Sequence, residues 1–295
     1  MNSQSGILSP IPMHGRYLMF SFESDTSDAA EALIPLLEVV DGSDTIVGIG
    51  ASLVAALNSQ IPDLRPFPSM VGPGFDIPST QHALWFWLRG DDRGELYHRS
   101  REIGHALAMD FQMKEVLDTF VHHDSRDLSG YKDGTENPQG KEAVDAAIVS
   151  GQGDGLDGGS YVAVQQWIHD FDLFDAMIQK EQDNTIGRRK SDNEELDEAP
   201  ESAHVKRTAQ ESFDPEAFMV RRSMPWAEGN EAGLNFVTFA KSFNAFEMML
   251  QRMVGAEDGI VDALFNFTRP VSGAYYWCPP MKDDKLDLRA LRSQA

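Results

Sequence analysis

Three segments of the 295-residue chain carry side chains whose type and spacing suit chemistry. The first, Asp127 to Pro138 (DLSGYKDGTENP), is a turn by composition: Gly130, Gly134, Asn137 and Pro138 directly follow an apolar run. A hinge or surface loop accounts for that pattern; so does a loop that presents one carboxylate, Asp133, at a fixed point beside glycine. The second is Ala203-His204-Val205-Lys206-Arg207, where a hydrophilic stretch turns toward a structural element and offers one imidazole, a group able to bind a metal or move a proton. The third, Phe218 to Trp226 (FMVRRSMPW), sets Arg221 and Arg222 in succession on a strand-like run. Such neighbours face opposite ways, so that one can meet solvent while the other is buried and needs an anionic partner. Other histidines offer no ligand set: His122 and His123 would point to opposite faces of a strand, and His14, His82, His98 and His105 have no neighbour at metal-ligand spacing.

Composition narrows the chemistry. With 25 basic and 47 acidic residues the formal charge is −22, which repels phosphate backbones and anionic membrane surfaces alike, so neither nucleic acid nor membrane is an expected partner. The single cysteine, Cys278, cannot form an intramolecular disulfide, a thiolate cluster or paired thioether links. Any metal must be held by His or carboxylates, or arrive inside a cofactor. Met1 to Pro12 lacks the basic start and long apolar run of a secretory signal, and no stretch reaches the roughly 20 apolar residues of a membrane span. The chain reads as a cytoplasmic globular protein, with 41% hydrophobic residues to bury.

The elements that must position these residues follow from periodicity. Arg16 to Glu23, Asp44 to Gly50, Ala83 to Leu88 and Met113 to Val121 read as strands, with a helix capped by Ser27 after the first and a helix over Arg101 to Met113. The second half repeats that grammar. Strands are expected at Tyr161 to His169, Phe218 to Ser223 and Leu234 to Ala240, and helices over Phe171 to Gly187 and from Asn244, where Phe246, Met249, Leu250 and Met253 form one apolar face. Between them Asp192 to Glu201 holds six carboxylates and no base, the pattern of a solvated loop. Two passes of strand and helix fit ferredoxin-like α+β units, with a boundary near residue 145 ahead of the Gly- and Asp-rich stretch Gly151 to Gly159.

Taken together, the motifs resemble a known family. Gly130-Tyr131-Lys132-Asp133-Gly134 matches the GxxDG signature of dye-decolourising peroxidases and continues into Thr135-Glu136-Asn137-Pro138. With His204-Val205-Lys206-Arg207, Arg221-Arg222-Ser223-Met224-Pro225, Asp258-Gly259 and Phe267-Thr268-Arg269-Pro270-Val271, the chain is similar to the compact bacterial B-type members from about Gly6 to about Pro280. One such motif is weak evidence, whereas five in order along the whole length are specific.

The resemblance implies an α+β fold of two ferredoxin-like domains, residues 1–145 and 146–295, each with an antiparallel sheet and helices packed on it. It implies non-covalent haem b in the second, with His204 as iron ligand and Asp262 behind it, raising the basicity of the imidazole. Asp133 and Arg221 are the implied catalytic pair, with Arg222 as the alternative register. Thr135, Glu136 and Arg207 are expected near the haem propionates, and Ser223 at the cofactor. The implied activity is cleavage of hydrogen peroxide, with one carboxylate acting as base and then acid beside a guanidinium, followed by one-electron oxidation of organic reductants such as dyes and phenols. An acidic optimum, a homo-oligomer and a preference for cationic over anionic reductants at neutral pH are further expectations. Trp85, Trp87, Tyr131, Tyr275, Tyr276 and Trp277 read either as core aromatics or as electron relays. Two alternatives stand beside the enzyme: a haem carrier or store using the same pocket, and an acidic interaction module without a cofactor.

Overall fold

The computed structural model describes residues 2–23, 30–72 and 74–291, so the helix cap expected at Ser27 lies outside the described residues. In the first half, strands β1 (His14–Phe22), β2 (Thr45–Ile49), β5 (Leu84–Gly90) and β6 (Phe111–Phe120) run antiparallel in the order β6-β1-β5-β2. Between β2 and β5, β3 (Met70–Gly72) and β4 (Phe75–Ile77) form a separate hairpin. The second half repeats the order as β12-β7-β10-β8, from β7 (Ser160–His169), β8 (Val220–Arg221), β10 (Glu231–Ala240) and β12 (Ala274–Cys278). Each half is thus a ferredoxin-like sheet, its first strand lying between its third and fourth.

The two sheets are continuous. β12 meets β2 at Trp277–Ile49, while β9 (Met224–Glu228), paired to β10, lies against β6 at the far end. A sheet closed in this way has an inner and an outer face, and the apolar residues divide by strand alternation. Trp85 and Trp87 of β5 enter the inner core with Tyr17, Tyr276, Phe239 and Met224, whereas Leu84, Phe86 and Leu88 face the helices outside. Both faces of β5 are covered, which is why Leu84 to Leu88 is an unbroken apolar run. Cys278 lies in the inner core as a free thiol, and burial holds that thiol in its protonated form.

Helices α1 (Leu36–Val39), α2 (Ala51–Ala56), α3 (Arg93–Leu107) and α8 (Asn244–Met253) coat the outer face. α1 and α2 are short, and α3 starts well before the expected Arg101, because Asp92 caps it by accepting the Gly94 and Glu95 N–H groups. The boundary expected at residue 145 falls inside α4 (Gly140–Ala147), whose Ala143, Ala146 and Ala147 pack into the inner core. The helix expected over Phe171 to Gly187 is two, α5 (Phe171–Ala176) and α6 (Gln179–Ile186), because Met177 and Ile178 take extended backbone between them. The strand expected over Phe218 to Ser223 shortens to β8, and His122 and His123 lie beyond the end of β6 with rings 4.1 Å apart, not on opposite faces of a strand. α7 (His204–Arg207) is a single turn, and α8 (Asn244–Met253) carries the expected stripe, with Phe246, Met249, Leu250 and Met253 all buried. β11 (Thr268–Pro270) pairs with the end of β7, and β13 (Met281–Lys282) and β14 (Lys285–Leu286) form a hairpin after β12. Among the described residues no helix is long and apolar enough to cross a membrane.

Candidate active site

A cavity opens between the outer face of the second sheet and α8. Its apolar lining comes from Trp167 of β7, Leu234 and Phe236 of β10, Phe246, Met249, Leu250 and Met253 of α8, and Leu264 and Phe267 after it. The methionine stripe that reads as core therefore also walls a space. Into this apolar slot project His204 and Thr208 from α7, Lys132 and Asp133 from the glycine-rich loop, Arg221 from β8, and Gln165 and His169 from β7.

His204 sits where the chain turns out of the acidic loop. Gly187 ends α6 at φ +92°, and a Cβ there would come 2.3 Å from Val205 Cγ2, so glycine at this position suits the packing of α7 on the end of α6. His204 Nδ1 is 2.8 Å from Asp262 Oδ2, and the other Asp262 oxygen accepts the Leu264 N–H at 2.9 Å. Asp262 is 1% exposed, and a buried carboxylate held on both oxygens fixes the imidazole plane. With Nδ1 engaged, Nε2 is the ring nitrogen left to meet a ligand.

Asp133 is presented by a folded-back loop. Its N–H donates to Ser125 O at 3.1 Å, and its Oδ1 accepts the Gly134 N–H at 2.7 Å, which leaves Oδ2 without a protein partner among the described residues. Asn137 ties the same loop to β8: its side chain accepts the Arg221 N–H at 2.8 Å and donates to the Arg221 carbonyl at 3.0 Å. Arg221 directs its guanidinium toward the cavity, and its buried Nε has no partner. Arg222 faces away, as strand alternation requires. It donates to the carbonyls of Ile7 and Leu8 at 3.1 and 3.0 Å, and burial together with nearby Arg89 pushes its pKa down to about 10.

Thr135, Glu136, Arg207 and Ser223 do not line this cavity. Thr135 accepts from Asn193, and Glu136 accepts from Arg188 at 2.7 Å, both on the rim of a second, open groove. Arg207 is buried and clamps Asp258 through two bonds of 2.7 and 2.8 Å. The Ser223 hydroxyl is buried without a partner in a small void that also touches Asp133. Among the aromatics, Tyr131 lines the cavity and is buried; its hydroxyl donates to Asp183, and burial, reinforced by that carboxylate, raises its pKa. Trp85, Trp87, Tyr275, Tyr276 and Trp277 are fully buried away from it.

Sequence reasoning passed over Asp127, His169 and Thr268, which join at the cavity wall: His169 lies 3.0 Å from Asp127 and 2.6 Å from Thr268. The alternation of β7 held the signal, since Gln165, Trp167 and His169 share one face.

Comparison with known proteins sets this geometry among relatives. Residues 124–283 match the family Dyp-type peroxidase, C-terminal. A dye-decolorizing peroxidase of Mycolicibacterium paratuberculosis is 28% identical, over 92% of this chain and 82% of its own length. One from Mycobacterium tuberculosis is also 28% identical, over 94% and 88%. Among solved structures, a putative dyp-type peroxidase from Shewanella oneidensis aligns with TM-score 0.86 and 28% identity, over 98% of this chain and 97% of its own. A variant of DypB from Rhodococcus jostii, in complex with heme, aligns with TM-score 0.85 and 28% identity, over 97% of each chain.

Proposed function

The chain belongs to the Dyp-type peroxidase family, and on that premise we propose that this haem peroxidase cleaves hydrogen peroxide with Asp133 and Arg221 and oxidises dyes and phenols by one-electron steps. The observation that carries the reading is the meeting, in one apolar cavity, of a carboxylate-supported imidazole with the Asp133 Oδ2 and the Arg221 Nε, which have no protein partner among the described residues. The residues fit haem: aliphatic and aromatic walls for the ring, His204 Nε2 for the iron, and the orphaned Arg221 Nε and Gln165 Nε2 as buried polar groups that need a partner.

Bound haem supplies the iron at which the O–O bond is broken and holds the oxidising equivalents until reductants remove them. The protein's part is proton transfer and charge. Asp133 Oδ2 takes the proton from the inner peroxide oxygen and returns it to the outer one, which leaves as water. The Arg221 guanidinium, permanently charged, stabilises negative charge on the outer oxygen as the bond lengthens. Asp262 keeps the His204 ring oriented and electron-rich.

The test is the absorption spectrum of the purified, hemin-reconstituted protein with and without peroxide. Haem binding, weakened in His204→Ala, and rapid reaction with peroxide, slowed in Arg221→Leu with haem retained, are expected. Failure to bind haem overturns the reading. Repeated turnover of a dye separates an enzyme from a carrier, whose haem bleaches within a few equivalents of peroxide.

A further inference from the structure

The wall of the cavity contains an ionisable pair with no part in the chemistry above. His169 and Asp127 are largely buried, with side chains 6% and 14% exposed, and the Phe171 and Phe267 rings flank the imidazole at 5.7 and 5.6 Å. We infer that His169 is an imidazolium held between Asp127 and Thr268, and that this buried ion pair positions the loop that presents Asp133.

The protonation state follows from counting hydrogens. Thr268 Oγ1 has one proton and stands 2.9 Å from the Ile168 carbonyl, which can only accept, and 2.6 Å from His169 Nδ1. With the hydroxyl proton on the carbonyl, Nδ1 must donate. On the other side of the ring Asp127 Oδ1 is 3.0 Å from Nε2, while its Oδ2 accepts the Ser129 N–H at 2.8 Å. Burial favours the neutral acid, but the bonds from His169 and Ser129 outweigh it and hold the Asp127 pKa below its ordinary value. A carboxylate only accepts, so Nε2 donates as well, and the ring carries both protons.

The connection to Asp133 runs through the backbone. The Asp127 N–H donates to Tyr131 O at 2.9 Å, the Gly130 N–H donates to Asp127 O at 2.8 Å, and Arg126 bridges Lys132. Residues 125–133 therefore form one tight unit whose ends meet where the Asp133 N–H donates to Ser125 O. The Asp133 side chain accepts only from its own neighbour, Gly134, among the described residues, so its place is set by the loop and not by a side-chain partner. The bond from His169 ties that loop to β7, the floor of the cavity, and through Thr268 to β11. His169 is thus a positioning residue for Asp133, and its effect on peroxide cleavage rests on the role proposed for Asp133 above.

Two readouts keep these claims apart. In ¹⁵N spectra of the haem-reconstituted protein at pH 7, His169 should show two protonated ring nitrogens; a neutral ring, with the hydroxyl donating to Nδ1, overturns the protonation state. Hydrogen exchange tests the tether without reference to catalysis. In His169→Phe, the amides of Gly130, Asp133 and Gly134 should exchange at least tenfold faster while those of β1 and α8 keep their rates. His169→Gln, which retains one donor for Asp127, should fall between, and it serves if the Phe variant does not fold. Unchanged loop exchange, or a uniform rise across the protein, overturns the tether. In stopped-flow with peroxide, His169→Gln should slow the wild type about tenfold yet add nothing in an Asp133→Asn background. If Asp133→Asn itself reacts at the wild-type rate, the proposed catalysis fails while the exchange result still decides the tether.

Discussion

Asn137 and Arg221 exchange two hydrogen bonds, so the loop that presents Asp133 also fixes the backbone from which Arg221 projects. Two groups from distant parts of the chain are thereby set by one side chain of the glycine-rich motif. In Asn137→Ala both bonds are lost, at a cost of about 1–3 kcal/mol in stability. Because misplacement of about 1 Å can cost a catalytic group up to about 100-fold, the peroxide reaction should slow between about 10- and 100-fold. Stopped-flow absorption checks this; an unchanged rate means that Arg221 is held by other contacts.

The two adjacent arginines should separate cleanly. Arg221→Leu removes a charge aimed into the cavity and should slow peroxide cleavage by about 10²–10³-fold. Arg222→Leu removes bonds to the Ile7, Leu8 and Arg221 carbonyls, on the side away from the cavity. The loss of those bonds is partly offset by relief of a buried charge, so we expect a destabilisation of about 1–2 kcal/mol and a peroxide rate within a few-fold of wild type. Denaturant titration and stopped-flow on the two variants check both halves; the reverse pattern assigns the catalytic role to Arg222.

Asp262 should matter through His204 alone. Replacing it by Asn keeps the shape but removes the negative charge next to Nδ1, as well as the preference for a proton there. Groups that orient a metal-bound histidine are typically worth about 10–100-fold in affinity, so Asp262→Asn should lose haem to an excess of scavenger that much faster. The less basic imidazole should also raise the reduction potential of the bound iron, measured by spectroelectrochemistry. A variant with unchanged retention and potential shows that the 2.8 Å contact does not tune the ligand.

How much of this was legible in the sequence depends on the range of each interaction. Seven of the eight strands that form the two ferredoxin-like halves could be read because alternation and continuous apolar runs are local signals, whereas β12 was passed over; the stripe of α8 likewise follows from spacing alone. The start of α3 was missed because its opening, Arg93 to Arg101, is too polar to show periodicity, and the cap that begins it is one carboxylate, Asp92. Asp133, Arg221 and His204 stood out by type and spacing as candidates, and the motif resemblance gave them their expected roles. The His169 pair left no such trace: Asp127 is 42 positions away and Thr268 is 99, and only the fold brings three ordinary polar residues to one wall. Thr135, Glu136 and Arg207 show the opposite limit. Glu136 pairs with Arg188 and the buried Arg207 with Asp258, partners that motif spacing does not disclose.

Acid should act on stability through identifiable turns. Asp41 Oδ1 accepts from the N–H groups of Ser43, Asp44 and Thr45 and from the Ser43 hydroxyl, which fixes the entry to β2. Partial burial raises its pKa, but these bonds lower it further, so the folded value lies below the unfolded one, about 3.9. Its contribution is then fully present above about pH 4 and is lost as the pH falls through the folded value. The melting temperature of Asp41→Ala should lie below that of the wild type at pH 7 and pH 5 by a similar margin, and the gap should narrow toward pH 3. A gap that widens on acidification contradicts this sign.

The net charge of −22 should be visible in which reductants the enzyme prefers. Beside the loop an open groove is lined by Glu136, Glu142, Asp145 and Glu216 against a single base among the described residues, Lys241. The local field therefore has the same sign as the whole molecule and attracts cationic donors while repelling anionic ones. The screening length falls from about 30 Å at 0.01 M salt to about 8 Å at 0.15 M, so added salt should lower kcat/KM for a cationic dye several-fold and raise it for an anionic dye of similar size. Substituting Glu142 and Glu216 by Gln should reduce the cationic advantage at low salt and leave the rate of reaction with uncharged peroxide unchanged. Equal salt dependence for the two dyes removes any steering role for the acidic surface; opposite slopes that survive the double substitution place that role elsewhere on it.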